Sequence, residues 1–115
     1  MYIRRDALDI LFSQYIRLRD RVCQYCGRSG RLETSHFHSR RKRSVRFDPE
    51  NSCALCFSCH TFLSGNPYAH TEFFKKRLGS ERFCLLNIRA ETIMKVDKEK
   101  VKEYLVELIE IEEEE

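Results

Sequence analysis

"RLETSHFHSRRKRSVRFDPENSCALCFSCH", residues 31–60, is the stretch on which the reading of this chain turns. It holds three histidines (His36, His38, His60), three cysteines (Cys53, Cys56, Cys59) and, from Arg40 to Arg46, five basic side chains. Thiolates and imidazoles are the soft donors that bind transition metals, and imidazole also titrates near neutral pH. Soft ligands beside a block of positive charge point to metal and phosphate chemistry in one place.

The cysteines carry the strongest signal. Upstream, "CQYCG" places Cys23 and Cys26 two residues apart, so that both sulfurs converge on one ion while the glycine allows the tight turn. A second pair must close the site. "CALCFSC" offers two overlapping candidates, Cys53 with Cys56 and Cys56 with Cys59. We take Cys56 and Cys59, so that Cys23, Cys26, Cys56 and Cys59 form a structural Zn²⁺ site and Cys53 and Cys84 are buried thiols. Such a closed tetrahedral site stabilises without catalysing, because no coordination position is left for substrate.

Length and charge set the frame. At 115 residues the chain is expected to be one domain, residues 1–115, with a modest apolar core that benefits from a metal staple. The start "MYIRRDALDILF" lacks the apolar stretch of a signal peptide, and no eighteen apolar residues run together. A cytoplasmic location is therefore expected, where paired cysteines bind metal more often than each other. The net charge of +3 hides an asymmetry. Residues 103–115 hold seven glutamates and no basic residue, whereas residues 1–102 carry 21 basic against 11 acidic side chains. A basic body suits a polyanionic partner, since each neutralised phosphate releases condensed counterions.

Periodicity places the elements. Leu8, Leu11, Phe12 and Tyr15 recur at helical spacing and predict a helix over about 5–20. "RLETSHF" alternates as a short strand, and "FDPEN" has turn chemistry. "SCALCFSCHTFLSG" reads as a helix closed near Gly65, and "AHTEFFKKRLG" and "SERFCLLNIRA" as two more. Asp97 should cap a last helix with Val101, Tyr104, Leu105, Leu108 and Ile109 on one face, an apolar face for a homodimer contact or for docking onto the body.

A His on a strand, a basic loop, then Asn51, then CxxC followed directly by His60, resembles the HNH motif of the ββα-metal nucleases. The wording "SHFHSRRKRSVRFDPENSCALCFSCHTFLSGNP", residues 35–67, is similar to phage recombination nucleases of the NinG type and more distantly to endonuclease VII junction resolvases. The likeness covers about residues 22–80. It implies an α+β fold: a zinc-stapled, treble-clef-like ββα-metal core, with one helix before it and C-terminal helices over about 68–115. It also implies a metal-dependent endonuclease that nicks or cleaves DNA, leaving 3′-hydroxyl and 5′-phosphate ends.

Under that resemblance His36 is the general base that takes a proton from water, since a neutral imidazole titrates in the right range. His60 ligates a catalytic Mg²⁺ or Mn²⁺, with Mn²⁺ favoured where imidazole is the main ligand. Asn51 fastens the loop between the strands and so orients His36. The pattern departs at Ser35, where many relatives carry an Asp or His as second metal ligand. A hydroxyl is a poor ligand, so Ser35 acts through water, or His38 or Glu33 contributes; alternation along the strand puts His38 on the face of His36. Arg40, Arg41, Lys42, Arg43 and Arg46 are expected beside the site, gripping DNA phosphates. No recognition helix is evident, so weak sequence selectivity follows. Competing readings are a hydrogen-bonded core histidine for His36, a surface imidazole for His60 and a turn residue for Asn51; His70 is read as a surface residue. The runner-up for the whole chain is a non-catalytic zinc-stabilised nucleic-acid-binding module, and a lesser third reading is a protein-interaction zinc domain using the last helix.

Overall fold

Apolar residues spaced three and four apart build the first element, α1 (Ala7–Asp20), in this computed structural model, which describes residues 5–114. Asp6 and Asp9 start the helix by accepting each other's backbone N–H at 2.9 and 3.0 Å. These bonds satisfy donors that a helix N-terminus leaves unpaired. The expected domain's first four residues, and Glu115 of the acidic tail, lie outside the described residues.

A two-stranded antiparallel sheet follows, β1 (Glu33–His36) and β2 (Ser52–Leu55), with Glu33 opposite Leu55, Ser35 opposite Cys53 and His36 opposite Ser52. Four helices complete the chain: α2 (Phe57–Ser64), α3 (Pro67–Leu78), α4 (Ser80–Glu91) and α5 (Lys98–Glu113). Among the described helices none is long and apolar enough to cross a membrane.

One expectation is corrected here. Residues 52–55 are a strand, and the helix begins only at Phe57, after Cys56. The reason is burial on both faces. Cys53 and Leu55 pack with Val45, Leu63, Phe74, Leu86 and other residues of α2 to α4, while Ala54 packs with Phe12, Tyr15, Ile16, Leu105 and Ile109 of α1 and α5. The sheet is the partition between these two apolar clusters. A strand covered on both sides loses its polar alternation and reads like a buried helix.

The last helix docks on the body. Asp97 caps α5 by accepting the Lys100 N–H at 3.2 Å, and Leu105 and Ile109 are buried against α1. Tyr104, expected on the same face, is exposed instead. Cys84, expected as a buried thiol, is also exposed on α4, whose inner face is Phe83, Leu86 and Ala90. Polar ties join α1 to the partition: the Asp20 carboxylate accepts the Ala54 N–H at 2.8 Å, and Arg19 donates to the Pro49 and Ser52 carbonyls at 2.9 Å each.

Candidate functional site

The turn before β1 and the start of α2 bring four cysteines together. Gly27, at φ 81°, closes the knuckle with its N–H on the Cys23 carbonyl at 2.8 Å, and the Gln24 N–H reaches across to Ala54 at 3.0 Å. That register sets Cys23 and Cys26 against Cys56 and Cys59. The four Sγ atoms lie within 4.8 Å of one another, and Cys26 and Cys56 are 3.8 Å apart. Tetrahedral zinc with Zn–S bonds of about 2.3 Å requires sulfurs about 3.8 Å apart, so the cluster fits a metal ion such as zinc.

Its electrostatics agree. Burial alone would raise Cys23, but backbone amides of Cys26, Cys56 and Tyr25 point at its sulfur and bring it down to about 6. Cys59 is pushed up, by burial first and then by the sulfurs of Cys56, Cys26 and Cys23. Four thiolates this close coexist only with a cation among them. Cys53 is not in the cluster: it is fully buried under the sheet, where burial lifts its thiol to about 12. Of the two overlapping pairs, the fold selects Cys56 and Cys59.

A groove of about 920 Å³ lies along β1. Glu33, Thr34 and His36 line it from the strand, Asp9, Ser13 and Arg17 from α1, and His60 from α2. Arg5, Arg31 and Arg40 complete a positive rim. His36 packs its ring 5.7 Å from that of Phe12, and its Nε2 is buried without a hydrogen-bond partner. Burial pushes its pKa down to about 4; a hydrogen bond to the Arg46 backbone and the charge of Asp9 work against this, while Arg40 and Arg46 reinforce it. The ring is therefore neutral at physiological pH. His60 holds its Nδ1 2.7 Å from Glu33 Oε1. The two histidines and Glu33 line one groove.

Asn51 sits fully buried at the end of the loop between the strands. Its Oδ1 accepts the His38 N–H at 2.8 Å, its Nδ2 donates to the His38 and Val45 carbonyls at 3.0 and 3.2 Å, and its own carbonyl accepts the Phe37 N–H at 2.8 Å. The chain leaving His36 is fastened at both following residues.

Other expected site residues stand elsewhere. Ser35 points to the opposite face of β1, 2% exposed, and does not line the groove. His38 lies beyond the end of β1, so alternation no longer applies, and its Nε2 pairs with Asn87 of α4 at 2.8 Å. Of the five basic loop residues only Arg40 lines the groove. Arg46 is bound to Asp9, Lys42 pairs with Glu91 at 3.2 Å, and Arg41 and Arg43 are exposed outside the groove. His70 is half-buried, not fully exposed: its ring meets those of Phe37 and Phe74 edge-on at 5.3 Å, and burial lowers its pKa. Sequence reasoning missed Arg5, Arg17 and Arg31, which come from three separate segments; the one local signal is Ser13 four residues before Arg17 on α1. There Arg17 Nη1 donates to Ser13 Oγ, itself 2.8 Å from Thr34 Oγ1 on β1.

These features define a mixed protein of helices and one small sheet, with a four-cysteine centre suited to zinc and a basic groove lined by two histidines. A family model described as Bacteriophage Lambda NinG protein matches residues 4–112, and the chain belongs to that family. Neither a curated protein nor a solved structure matches it.

Proposed function

We propose that this phage NinG-type protein is a metal-dependent nuclease of the HNH type that hydrolyses DNA phosphodiester bonds in the groove along β1. The observation that carries this reading is that a neutral imidazole with an unused nitrogen, His36, and an imidazole held by a carboxylate, His60 with Glu33, line the same arginine-rimmed groove. On this reading β1, β2 and α2 are the ββα-metal core, and the four-cysteine centre staples it without taking part in chemistry.

The guanidiniums of Arg5, Arg17, Arg31 and Arg40 bind and orient the phosphate backbone. His36 is the side chain that accepts the proton of the attacking water; its Nε2 is covered in the empty groove, so on this reading DNA binding exposes it. At a pKa of about 4 it is a weak base in the empty groove; a phosphate anion seated beside it raises that value toward the working range. Asn51 fixes the loop that follows His36, and Phe12 supports its ring. His60 is the side chain that would hold a Mn²⁺ or Mg²⁺ ion, with Glu33 hydrogen-bonded to its Nδ1; such an ion would neutralise phosphoryl charge and the departing 3′ oxygen. With so few protein ligands such an ion would rely on water and phosphate, as hard divalent ions do, and the imidazole would favour Mn²⁺.

Supercoiled plasmid incubated with the protein and Mn²⁺ should be relaxed and then linearised, and EDTA should abolish this. A non-catalytic zinc-stabilised DNA-binding module is the second reading, favoured by Ser35 being buried away from the groove at the position where the HNH pattern carries a metal ligand. Plasmid binding without nicking in Mn²⁺ or Mg²⁺ would make that reading the better one.

A further inference from the structure

We infer that Glu33 is a positioning residue whose carboxylate fixes the His60 ring with its proton on Nδ1, leaving Nε2 bare to meet a divalent cation in the groove. This rests on the nuclease reading for its purpose but not for its geometry. Glu33 Oε1 lies 2.7 Å from His60 Nδ1. A carboxylate can only accept, so the nitrogen facing it carries the hydrogen. Among the described residues Nε2 makes no hydrogen bond to the protein, and His60 lines the groove with its side chain 30% exposed.

Both ends of the pair are held by the fold. His60 lies in the first turn of α2, its N–H on the Cys56 carbonyl at 2.9 Å, directly after Cys59 of the metal centre. Glu33 is registered opposite Leu55 by the sheet. The contact contributes little to stability, since both side chains are partly solvated, Glu33 at 41%. Its consequence is orientation: which imidazole nitrogen binds metal is set by the hydrogen bond the other makes. Metal-binding histidines commonly donate their second N–H to a carboxylate, and losing that partner typically weakens metal affinity about 10- to 100-fold. Glu33 acts from outside the coordination shell, whereas Ser35, buried, does not line the groove.

The test uses zinc-loaded full-length protein. Long-range ¹H–¹⁵N correlation spectra at neutral pH report the His60 tautomer directly, and the signal of free Mn²⁺ in electron paramagnetic resonance reports Mn²⁺ affinity without any cleavage assay. The wild type should show the Nδ1–H tautomer. Glu33→Ala should keep its zinc, shift His60 toward Nε2–H, and weaken Mn²⁺ binding about 10- to 100-fold. Glu33→Gln, whose amide oxygen can still accept, should restore the tautomer and most of the affinity. A wild-type ring already protonated at Nε2, or unchanged tautomer and affinity in Glu33→Ala, overturns the inference. So does a Glu33→Gln protein that keeps the tautomer yet binds Mn²⁺ as weakly as Glu33→Ala, because Glu33 would then act as a ligand. Because neither readout involves DNA, a wild type that passes both and never nicks would sink the nuclease reading alone.

Discussion

Asp9 of α1 and Arg46 of the loop between the strands form a two-pronged clamp: Arg46 Nε donates to Asp9 Oδ1 at 3.0 Å and Nη2 to Oδ2. Asp9 is 5% exposed, and Arg40 reaches it at 3.3 Å. Burial alone would raise its carboxyl, but Arg46, the Asp6 amide and Arg40 hold it below the usual range. The clamp seats the basic loop on the first helix, beside His36. Asp9→Ala removes a cap and strands a half-buried guanidinium, and should destabilise the fold by about 3 kcal/mol. In an Arg46→Ala background the same change should cost less, about 1 to 2 kcal/mol, from the cap and the remaining contact to Arg40. Urea unfolding of the four proteins tests this; equal costs in both backgrounds would show that the two residues are not coupled.

The metal centre predicts a sharp contrast between cysteines. Cys23→Ser opens the four-sulfur cluster and should lose zinc together with cooperative folding, because metal binding energy is folding energy in such sites. Cys53→Ser should keep about one zinc per chain, since that thiol lies under the sheet and outside the cluster. Metal content by plasma mass spectrometry decides; zinc loss in Cys53→Ser with retention in Cys56→Ser would contradict the assignment.

His36 gives the fold an acid sensitivity. Its pKa falls from 6.5 to about 4 on folding, mainly through burial. Between those values the unfolded chain holds a proton that the folded chain does not. Stability therefore rises with pH across this window and is lost on acidification, by at most about 3 kcal/mol at 1.36 kcal/mol per unit. His36→Gln, which cannot charge, should flatten this slope relative to wild type, while zinc loss and His70 titration affect both proteins alike. Parallel stability curves from pH 4 to 7 would contradict the burial of the ring.

If DNA binds as proposed, the groove and not the loop supplies most of its phosphate contacts. Arg17→Ala should weaken DNA binding and reduce the steepness of its logarithmic salt dependence by about 0.9, the loss of one phosphate contact. Arg41→Ala and Arg43→Ala should change little, because those side chains lie outside the groove. Fluorescence anisotropy over a range of salt concentrations checks this, and the reverse ranking would return the interface to the basic loop.

Much of this arrangement was written in local pattern. The 3.6-residue period of Leu8, Leu11, Phe12 and Tyr15, the Asp97 cap and the CxxC spacing each depend on neighbours in sequence, and each is found in the structure. The Asn51 side chain bonds the backbone of His38 and Val45 within the loop between the strands. What local pattern could not show is set by distant partners. Ser52–Leu55 is a strand because α1 with α5 and α2 to α4 cover it from both sides. His38 leaves the site because β1 stops at His36 and Asn87 captures its ring. Glu33 meets His60 only once the sheet and α2 have formed, and Arg5, Arg17 and Arg31 reach one groove from segments that share no motif.

The central claim is that His36 performs hydrolysis, and plasmid nicking by His36→Ala in saturating Mn²⁺ tests it most directly. Zinc content, circular dichroism and DNA affinity should stay at wild-type levels, because the ring binds no structural metal and carries no charge at neutral pH. Should alanine leave too large a void beside Phe12, His36→Gln preserves the volume and serves the same purpose. The nicking rate should fall by about 10²- to 10⁴-fold, the typical contribution of a positioned base. A folded, DNA-binding variant that nicks at the wild-type rate would contradict the account and remove this groove as the site of hydrolysis.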